Sequence, residues 1–207
     1  MKQLYLILIL IPLTLISNHS LSQSARNPLL ESFNDYIRLK RESEYNLEWI
    51  SIGPVMNSAR LEAVQGVPGK PGVFYAAFGS GNLWKTTDNG LSWNPIFENQ
   101  PVLGIGDIAV SPVDNDIIWL GSGESLKKAR NFTMPGAGVY RSVDAGKSWY
   151  HLGLDDTYHI GEIVTDPVNP DKALVAAMGH FWSRNNNRGV YRTIDGGRSW
   201  KRTQNEG

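Results

Sequence analysis

Three segments of nearly the same sequence recur along the chain: LWKTTDNGLSW at residues 83–93, VYRSVDAGKSW at 139–149 and VYRTIDGGRSW at 190–200. Their central aspartates, Asp88, Asp144 and Asp195, lie 56 and 51 residues apart. A repeat of this length is the size of a four-stranded propeller blade and is longer than the common helical solenoid repeats. The chain is therefore predicted to be all-β, a β-propeller of four-stranded antiparallel blades.

A second repeated element, a proline turn, falls between the copies at Val67-Pro68, Ser111-Pro112 and Asp166-Pro167. An apolar alternating run stands on each side of every turn, which is typical of two strands joined by a turn. The predicted strands are 60–64, 73–78, 83–86 and 92–97 in the first unit, 105–110, 117–121, 139–142 and 148–152 in the second, and 160–165, 173–178, 190–193 and 199–202 in the third. The corresponding blades are 57–98, 103–153 and 158–203.

The residue types of the repeated segment suit a hairpin turn. Its Asp can accept backbone N–H groups freed by the chain reversal, its Gly permits a positive φ, and its Trp buries a large ring over the hairpin. A single carboxylate in each turn is too few oxygen ligands for calcium, so no metal site is predicted. The residues given this structural role are Thr86, Asp88, Gly90, Trp93, Ser142, Asp144, Gly146, Trp149, Thr193, Asp195, Gly197 and Trp200.

The string S/T-x-D-x-G-x-S/T-W resembles the Asp box, or bacterial neuraminidase repeat, of sialidases, xyloglucanases, the sortilin propeller and photosystem assembly factors. With the aromatic-basic pairs Trp84-Lys85, Tyr140-Arg141 and Tyr191-Arg192 before it, residues 47–207 look most like exported sortilin-like or "BNR glycosyl hydrolase" proteins of Bacteroidetes-type bacteria. The resemblance implies the propeller fold. It leaves activity open, because enzymes, receptors and assembly factors share the box.

The N-terminus predicts export. Lys2 precedes an apolar run at residues 4–16 and a small polar stretch, which is typical of a signal peptide over residues 1–24. A retained anchor is the alternative, although the run is short for a membrane span. Residues 25–46 are expected to form a helical linker before the propeller at 47–207. Since the chain has no Cys, we expect a protein of the periplasm, the cell surface or the medium, without disulfides and with no membrane span after cleavage.

The composition argues against some classes of binding partner. The 20 basic and 20 acidic residues cancel, which argues against nucleic acid or an anionic membrane as the main partner. No cofactor motif is present, so no cofactor is predicted. Three blades make an incomplete ring, and we therefore expect further blades in the same chain or in a partner chain.

Ligand binding is expected on the face opposite the Asp boxes, where two long loops, 122–136 and 179–188, join second to third strands. Their aromatic rings and charged groups suit a glycan, a peptide or a protein. The alternative is a pair of solvated loops with aromatics turned inward. The candidate ligand-binding residues are Glu124, Arg130, His180, Trp182, Arg184 and Arg188.

Asp107 and Glu162 occupy equivalent places near the start of the inner strands. They are candidates for the carboxyl pair of a glycoside hydrolase, or for residues that hold backbone amides. Two functions follow. The first is a noncatalytic exported sortilin-like propeller that binds protein, peptide or glycan. The alternative is the N-terminal part of a glycoside hydrolase of the sialidase or xyloglucanase type.

Overall fold

The computed structural model describes residues 27–45, 59–125 and 133–203. The predicted signal peptide lies outside these residues. One α-helix, one short 3-10 helix and twelve strands are present in the described ranges. They are α1 (Pro28–Glu42), β1 (Leu61–Gly66), β2 (Phe74–Phe78), β3 (Asn82–Thr86), β4 (Asn94–Pro95), β5 (Ile105–Val110), β6 (Ile118–Ser122), β7 (Val139–Ser142), β8 (Tyr150–His151), the 3-10 helix Asp155–Thr157, β9 (Ile160–Thr165), β10 (Ala173–Ala177), β11 (Gly189–Thr193) and β12 (Lys201–Arg202).

The strands form three four-stranded antiparallel sheets in simple sequential order. We call them blade 1 (β1–β4), blade 2 (β5–β8) and blade 3 (β9–β12). The first strands of neighbouring blades contact each other, β1 with β5 and β5 with β9, and so lie innermost. This arrangement confirms the predicted all-β propeller architecture for the described residues.

The outer strands are shorter than predicted. Each outer strand has only two residues, such as Tyr150 and His151 in place of the expected 148–152, and the residue after them, Leu152 in blade 2, adds one backbone hydrogen bond to the third strand. The reason is that the backbone N–H of Ser148 donates to the Asp144 carboxylate of its own turn. A residue that is engaged in the turn is not available to the sheet, so pairing begins after the tryptophan.

Apolar side chains fill the spaces between the blades. Between blades 1 and 2 the core contains Tyr75, Leu83 and Tyr140, and between blades 2 and 3 it contains Trp119 and Val175, all of them almost fully buried. Blades 1 and 2 thus each bury one face of the sheet against the next blade, as expected of propeller packing.

The repeated turns, which we call Asp-box turns (86–93, 142–149 and 193–200), have the same hydrogen bonds in all three blades. In the second turn the Asp144 Oδ1 accepts from the Ser142 hydroxyl (2.8 Å) and from the Ser148 N–H (2.8 Å), and its Oδ2 accepts from the Ser148 hydroxyl (2.5 Å). The Ser142 hydroxyl also accepts from the Gly146 N–H at 2.8 Å. These contacts hold the pKa of Asp144 down, at about 2.

Two tryptophans of these turns make contacts to the preceding blade that the sequence did not predict. The Trp149 indole N–H donates to the Ile96 carbonyl (2.8 Å) of blade 1, and its ring meets Phe97 edge to face. Trp200 makes the same hydrogen bond to the Leu152 carbonyl of blade 2. Trp149 and Trp200 therefore join blades 2 and 3 to the blade before each of them. The Trp149 ring also lies over its own hairpin, 3.6 Å from where a Cβ at Gly146 would stand.

The helix α1 contacts the propeller at its N-terminal end. Asn27 caps it, accepting from the Leu29 N–H (3.0 Å), and donates from its side chain to the Asp155 carbonyl (3.2 Å). Leu29 and Leu30 pack against the core between blades 1 and 2. The remaining helix has no buried residue, so docking depends on its first turn.

Candidate functional site

The long loops lie on one face of the propeller. In an antiparallel blade the turn between strands three and four is at the opposite end from the connection between strands two and three. The segments 79–81, 123–125, 133–138 and 178–188, together with the connections between blades, therefore lie opposite the Asp-box turns. We call this surface the loop face.

Glu124 lies buried beneath the loop face and holds the β6–β7 loop to blade 1. Its side chain is fully buried, its Oε2 accepts from the Met134 N–H (3.2 Å), and it forms an ion pair with Arg60 at the start of blade 1. A Cβ at Gly79 would lie 2.7 Å from the Glu124 side chain, so Gly79 makes room for it. The prediction of Glu124 as a ligand contact is corrected, because no surface of this carboxylate is exposed.

A second contact joins the same loop to blade 1. The Ser125 hydroxyl lies 2.9 Å from the Glu62 Oε2 and 3.2 Å from the Gly106 carbonyl. Sequence reasoning did not assign a role to Ser125 or Glu62. The two contacts hold the start of the β6–β7 loop over the innermost strands.

Two pairs of aromatic rings, one stacked and one tilted, fix the base of the β10–β11 loop. The His159 ring is parallel to Phe181 with centroids 4.0 Å apart, and the Tyr158 ring lies 3.7 Å from that of His180. His159 Nδ1 is 3.0 Å from the Glu124 carbonyl, and burial lowers the pKa of His159 to about 4. A neutral His159 thus joins the loops of blades 2 and 3, while His180, predicted as a ligand contact, is engaged by Tyr158.

The tip of the same loop is open to solvent. Trp182 is 67% exposed, an unusual state for so large a ring, and Arg184 is also exposed. With Arg188 they line an open hollow of about 630 Å³ whose other walls include Asn185 and Asn186. Arg188 donates to the His180 carbonyl at 2.9 Å, which holds the hollow in shape.

The structure brings together three of the predicted ligand-binding residues, Trp182, Arg184 and Arg188, in this hollow. Arg130 lies outside the described residues. The open hollow, with one exposed ring and two guanidinium groups, is suited to stacking and to hydrogen bonding with a polar ligand.

The two candidate catalytic acids lie on adjacent inner strands. The Asp107 Oδ2 accepts from the Ile163 N–H of blade 3 at 2.7 Å. Burial raises the pKa of Asp107, and the neighbouring Glu162 adds to the shift, while Glu162 itself is exposed. Asp107 therefore joins blades 2 and 3 through a backbone hydrogen bond.

Within 27–45, 59–125 and 133–203, no group of His, Asp and Glu side chains is arranged to hold a metal ion. In the same ranges no helix has the length and apolar character of a membrane span.

Comparison with known proteins gives relatives of one kind. A xyloglucanase from Acetivibrio thermocellus is 26% identical over 195 residues, covering 81% of this chain and 21% of the relative. A probable oligoxyloglucan-reducing end-specific xyloglucanase from Neosartorya fischeri is 30% identical over 146 residues, covering 66% of this chain and 16% of the relative. The chain is similar to xyloglucanases. It spans roughly a sixth to a fifth of the length of these relatives, and no family model matches it.

Solved structures agree on the fold. An ancestral GH74 enzyme superposes with a TM-score of 0.55 at 22% identity, covering 70% of this chain and 18% of that one. The GH74 xyloglucanase from Xanthomonas campestris gives 0.53 at 20% identity, with coverages of 75% and 22%. These similarities support a propeller fold of the GH74 kind. They do not single out the sortilin-like proteins.

Proposed function

We propose that this chain forms part of an exported propeller of the xyloglucanase type, and that its loop face binds a polysaccharide chain. The observation that carries the proposal is the exposed indole of Trp182 at the rim of a polar hollow. An exposed aromatic face is suited to stacking on the C–H face of a sugar ring, and the polar groups around it to hydrogen bonding with hydroxyls. Export rests on the apolar run at residues 4–16.

The names of the relatives supply the ligand class. Two relatives are named for action on xyloglucan or its oligosaccharides. We therefore choose xyloglucan as the first ligand to test. The proposal is for binding and not for cleavage by these three blades. The reason is that the candidate catalytic acid Asp107 accepts a hydrogen bond from the Ile163 N–H and so serves the contact between blades.

The experiment is native electrophoresis through gels with and without xyloglucan, run above pH 8 so that this chain of zero net charge at pH 7 migrates as an anion. We expect xyloglucan to retard the wild type, and Trp182→Ala to weaken binding at least fivefold. The matched control is Tyr150→Ala, which removes a ring that is 58% exposed on the outer strand of blade 2. Tyr150→Ala is expected to bind like the wild type.

Two results would contradict the proposal: equal migration of the wild type in both gels, or equal retardation of Trp182→Ala and the wild type. Because Trp182 is exposed, its substitution is expected to leave the unfolding midpoint unchanged, so a loss of retardation reports on binding. Retention of the wild type on an immobilised peptide, with no retardation by xyloglucan, would favour the noncatalytic protein- or peptide-binding hypothesis.

Cleavage is tested separately, by measuring the release of reducing ends from xyloglucan. If Asp107 and Glu162 were a catalytic pair, Glu162→Gln would abolish release and leave binding intact. We expect Glu162→Gln to change neither the release of reducing ends nor the binding of xyloglucan, because its neighbour Asp107 serves the contact between blades.

A further inference from the structure

The open hollow on the loop face is built by a single loop, residues 179–188. Asn185 holds this loop in shape, because its side-chain amide donates to the His180 carbonyl (3.1 Å) and to the Ser183 carbonyl (3.0 Å). Gly179, with a φ of 65°, leaves room for the Asn185 side chain, with which a Cβ at that position would collide. Every residue that lines the hollow belongs to this loop, so its shape does not depend on a neighbouring blade.

The charged groups that line the hollow are all positive. Arg184 and Arg188 line it, and its other polar walls are neutral serine and asparagine side chains. In the described part of the chain, neither of these guanidinium groups lies within ion-pair distance of a carboxylate. By contrast, Arg38, Arg60 and Arg141 each pair with an acid. The hollow therefore contains two positive charges that the described residues leave uncompensated.

Most hydrogen-bond donors of the two arginines are open to a ligand. A guanidinium group has five N–H donors. Arg188 donates to the His180 carbonyl at 2.9 Å, and Arg184 makes no hydrogen bond within the described ranges. A third arginine, Arg202 on β12, donates to the Asn186 carbonyl (2.9 Å) and so supports the same loop. The contacts of Arg188 and Arg202 fix the loop while they leave the cationic groups of the hollow accessible.

This arrangement fits an anion better than a neutral group. The parallel N–H groups of a guanidinium match two oxygens of a carboxylate or a sulfate, and such charge-assisted hydrogen bonds are about twice as strong as neutral ones. A neutral sugar hydroxyl can accept from the same N–H groups but leaves the two positive charges unpaired. Because the whole chain has a net charge of zero, the attraction is a local property of the hollow.

We propose that the hollow binds an acidic sugar unit of a polysaccharide. The sugar ring lies against the exposed indole of Trp182, and the carboxylate or sulfate group of the sugar pairs with Arg184 and Arg188. The inference rests on the proposed binding of glycans by the loop face, and it names the class of sugar that this site prefers. A neutral polysaccharide binds through the ring contact alone and therefore more weakly.

The test compares three forms of one polysaccharide on the full chain: neutral xyloglucan, xyloglucan with part of its primary hydroxyl groups oxidised to carboxylates, and sulfated xyloglucan. Affinity is measured by isothermal titration calorimetry. We expect at least one acidic form to bind the wild type about tenfold more tightly than the neutral form. The preference is expected to fall about threefold or more in high salt, because exposed ion pairs are screened. The acidic form that binds more tightly identifies the anionic group.

Arg184→Ala is the informative variant, because Arg184 is exposed and its removal breaks no hydrogen bond within the described ranges. It is expected to reduce affinity for the preferred acidic form about tenfold and affinity for neutral xyloglucan less than about twofold. The matched control is Arg198→Ala, which removes the same charge from an exposed residue of the Asp-box turn of blade 3. This control is expected to bind every form like the wild type.

The proposal is overturned if the wild type binds the neutral and acidic forms equally, or if Arg184→Ala and Arg198→Ala lose the same affinity for the acidic form. Its failure differs from failure of the proposed function. Binding of neutral xyloglucan that Trp182→Ala weakens, without any preference for an acidic form, overturns the acidic-sugar site and leaves glycan binding standing. Absence of binding to all three forms overturns both.

Discussion

Removal of one box carboxylate tests the structural role of the Asp-box turns. In Asp144→Ala three hydrogen bonds are lost, those from the Ser142 hydroxyl, the Ser148 N–H and the Ser148 hydroxyl, all between 2.5 and 2.8 Å. Charge-assisted hydrogen bonds contribute about 1.5–3 kcal/mol each when buried. Because Asp144 is half-exposed and Ser148 is exposed, the freed donors regain water, and we take about 1 kcal/mol each. The expected loss is about 3 kcal/mol.

The assay is urea unfolding followed by tryptophan fluorescence, with thermal unfolding as a second measurement. A loss of about 3 kcal/mol corresponds to a fall in Tm of about 6–12 °C for a domain of this size. The control is Asp35→Ala, which removes an exposed carboxylate of α1 that pairs with Arg38. It is expected to change the free energy of unfolding by less than about 0.5 kcal/mol. An equally small change in Asp144→Ala would refute the reasoning.

Three further predictions concern stability. Burial lowers the pKa of His159 from 6.5 to about 4. The contribution of neutral His159 to the free energy of unfolding is therefore fully present above pH 6.5 and is lost as the pH falls to about 4. His159→Asn should flatten that part of a curve of stability against pH. The pKa values of the three box aspartates are lowered from 3.8 to about 2. The protein should therefore lose further stability as the pH falls from 3.8 to about 2, and Asp→Asn variants of these residues should reduce that loss. Glu124→Gln removes the ion pair with Arg60 and is expected to lower the free energy of unfolding, measured in urea, by about 2 kcal/mol. This is less than for a fully buried pair, because Arg60 is 42% exposed. An unchanged free energy of unfolding would contradict the anchoring role of Glu124.

The repeats were sufficient to predict the architecture. Fixed spacing of an Asp turn and a Pro turn defines four strands in each unit, and a turn depends on local residue types that the sequence displays. The outer strands were predicted too long because the hydrogen bond from the Ser148 N–H to Asp144 connects backbone to side chain. A propensity pattern does not reveal that competition.

The contacts between blades were harder to predict. Glu124 stands in a polar loop, and its burial depends on Arg60, which is 64 positions earlier in the chain. The hydrogen bond from the Trp149 indole to the preceding blade has no signal in the sequence of its own turn, because its acceptor, Ile96, is 53 positions earlier in the chain. The exposure of Trp182 likewise depends on Phe181, which turns inward onto His159. Long-range packing thus determines which residues of a loop remain available to a ligand.

The most direct test of the account is the position of the bound glycan on the propeller. Backbone amide chemical shifts can be followed by NMR while xyloglucan oligosaccharide is added to the full chain. The account predicts shifts concentrated at 178–188, and none in the Asp-box turns at 86–93, 142–149 and 193–200. Shifts centred on the Asp-box turns, or no shifts at a saturating concentration of oligosaccharide, would contradict it.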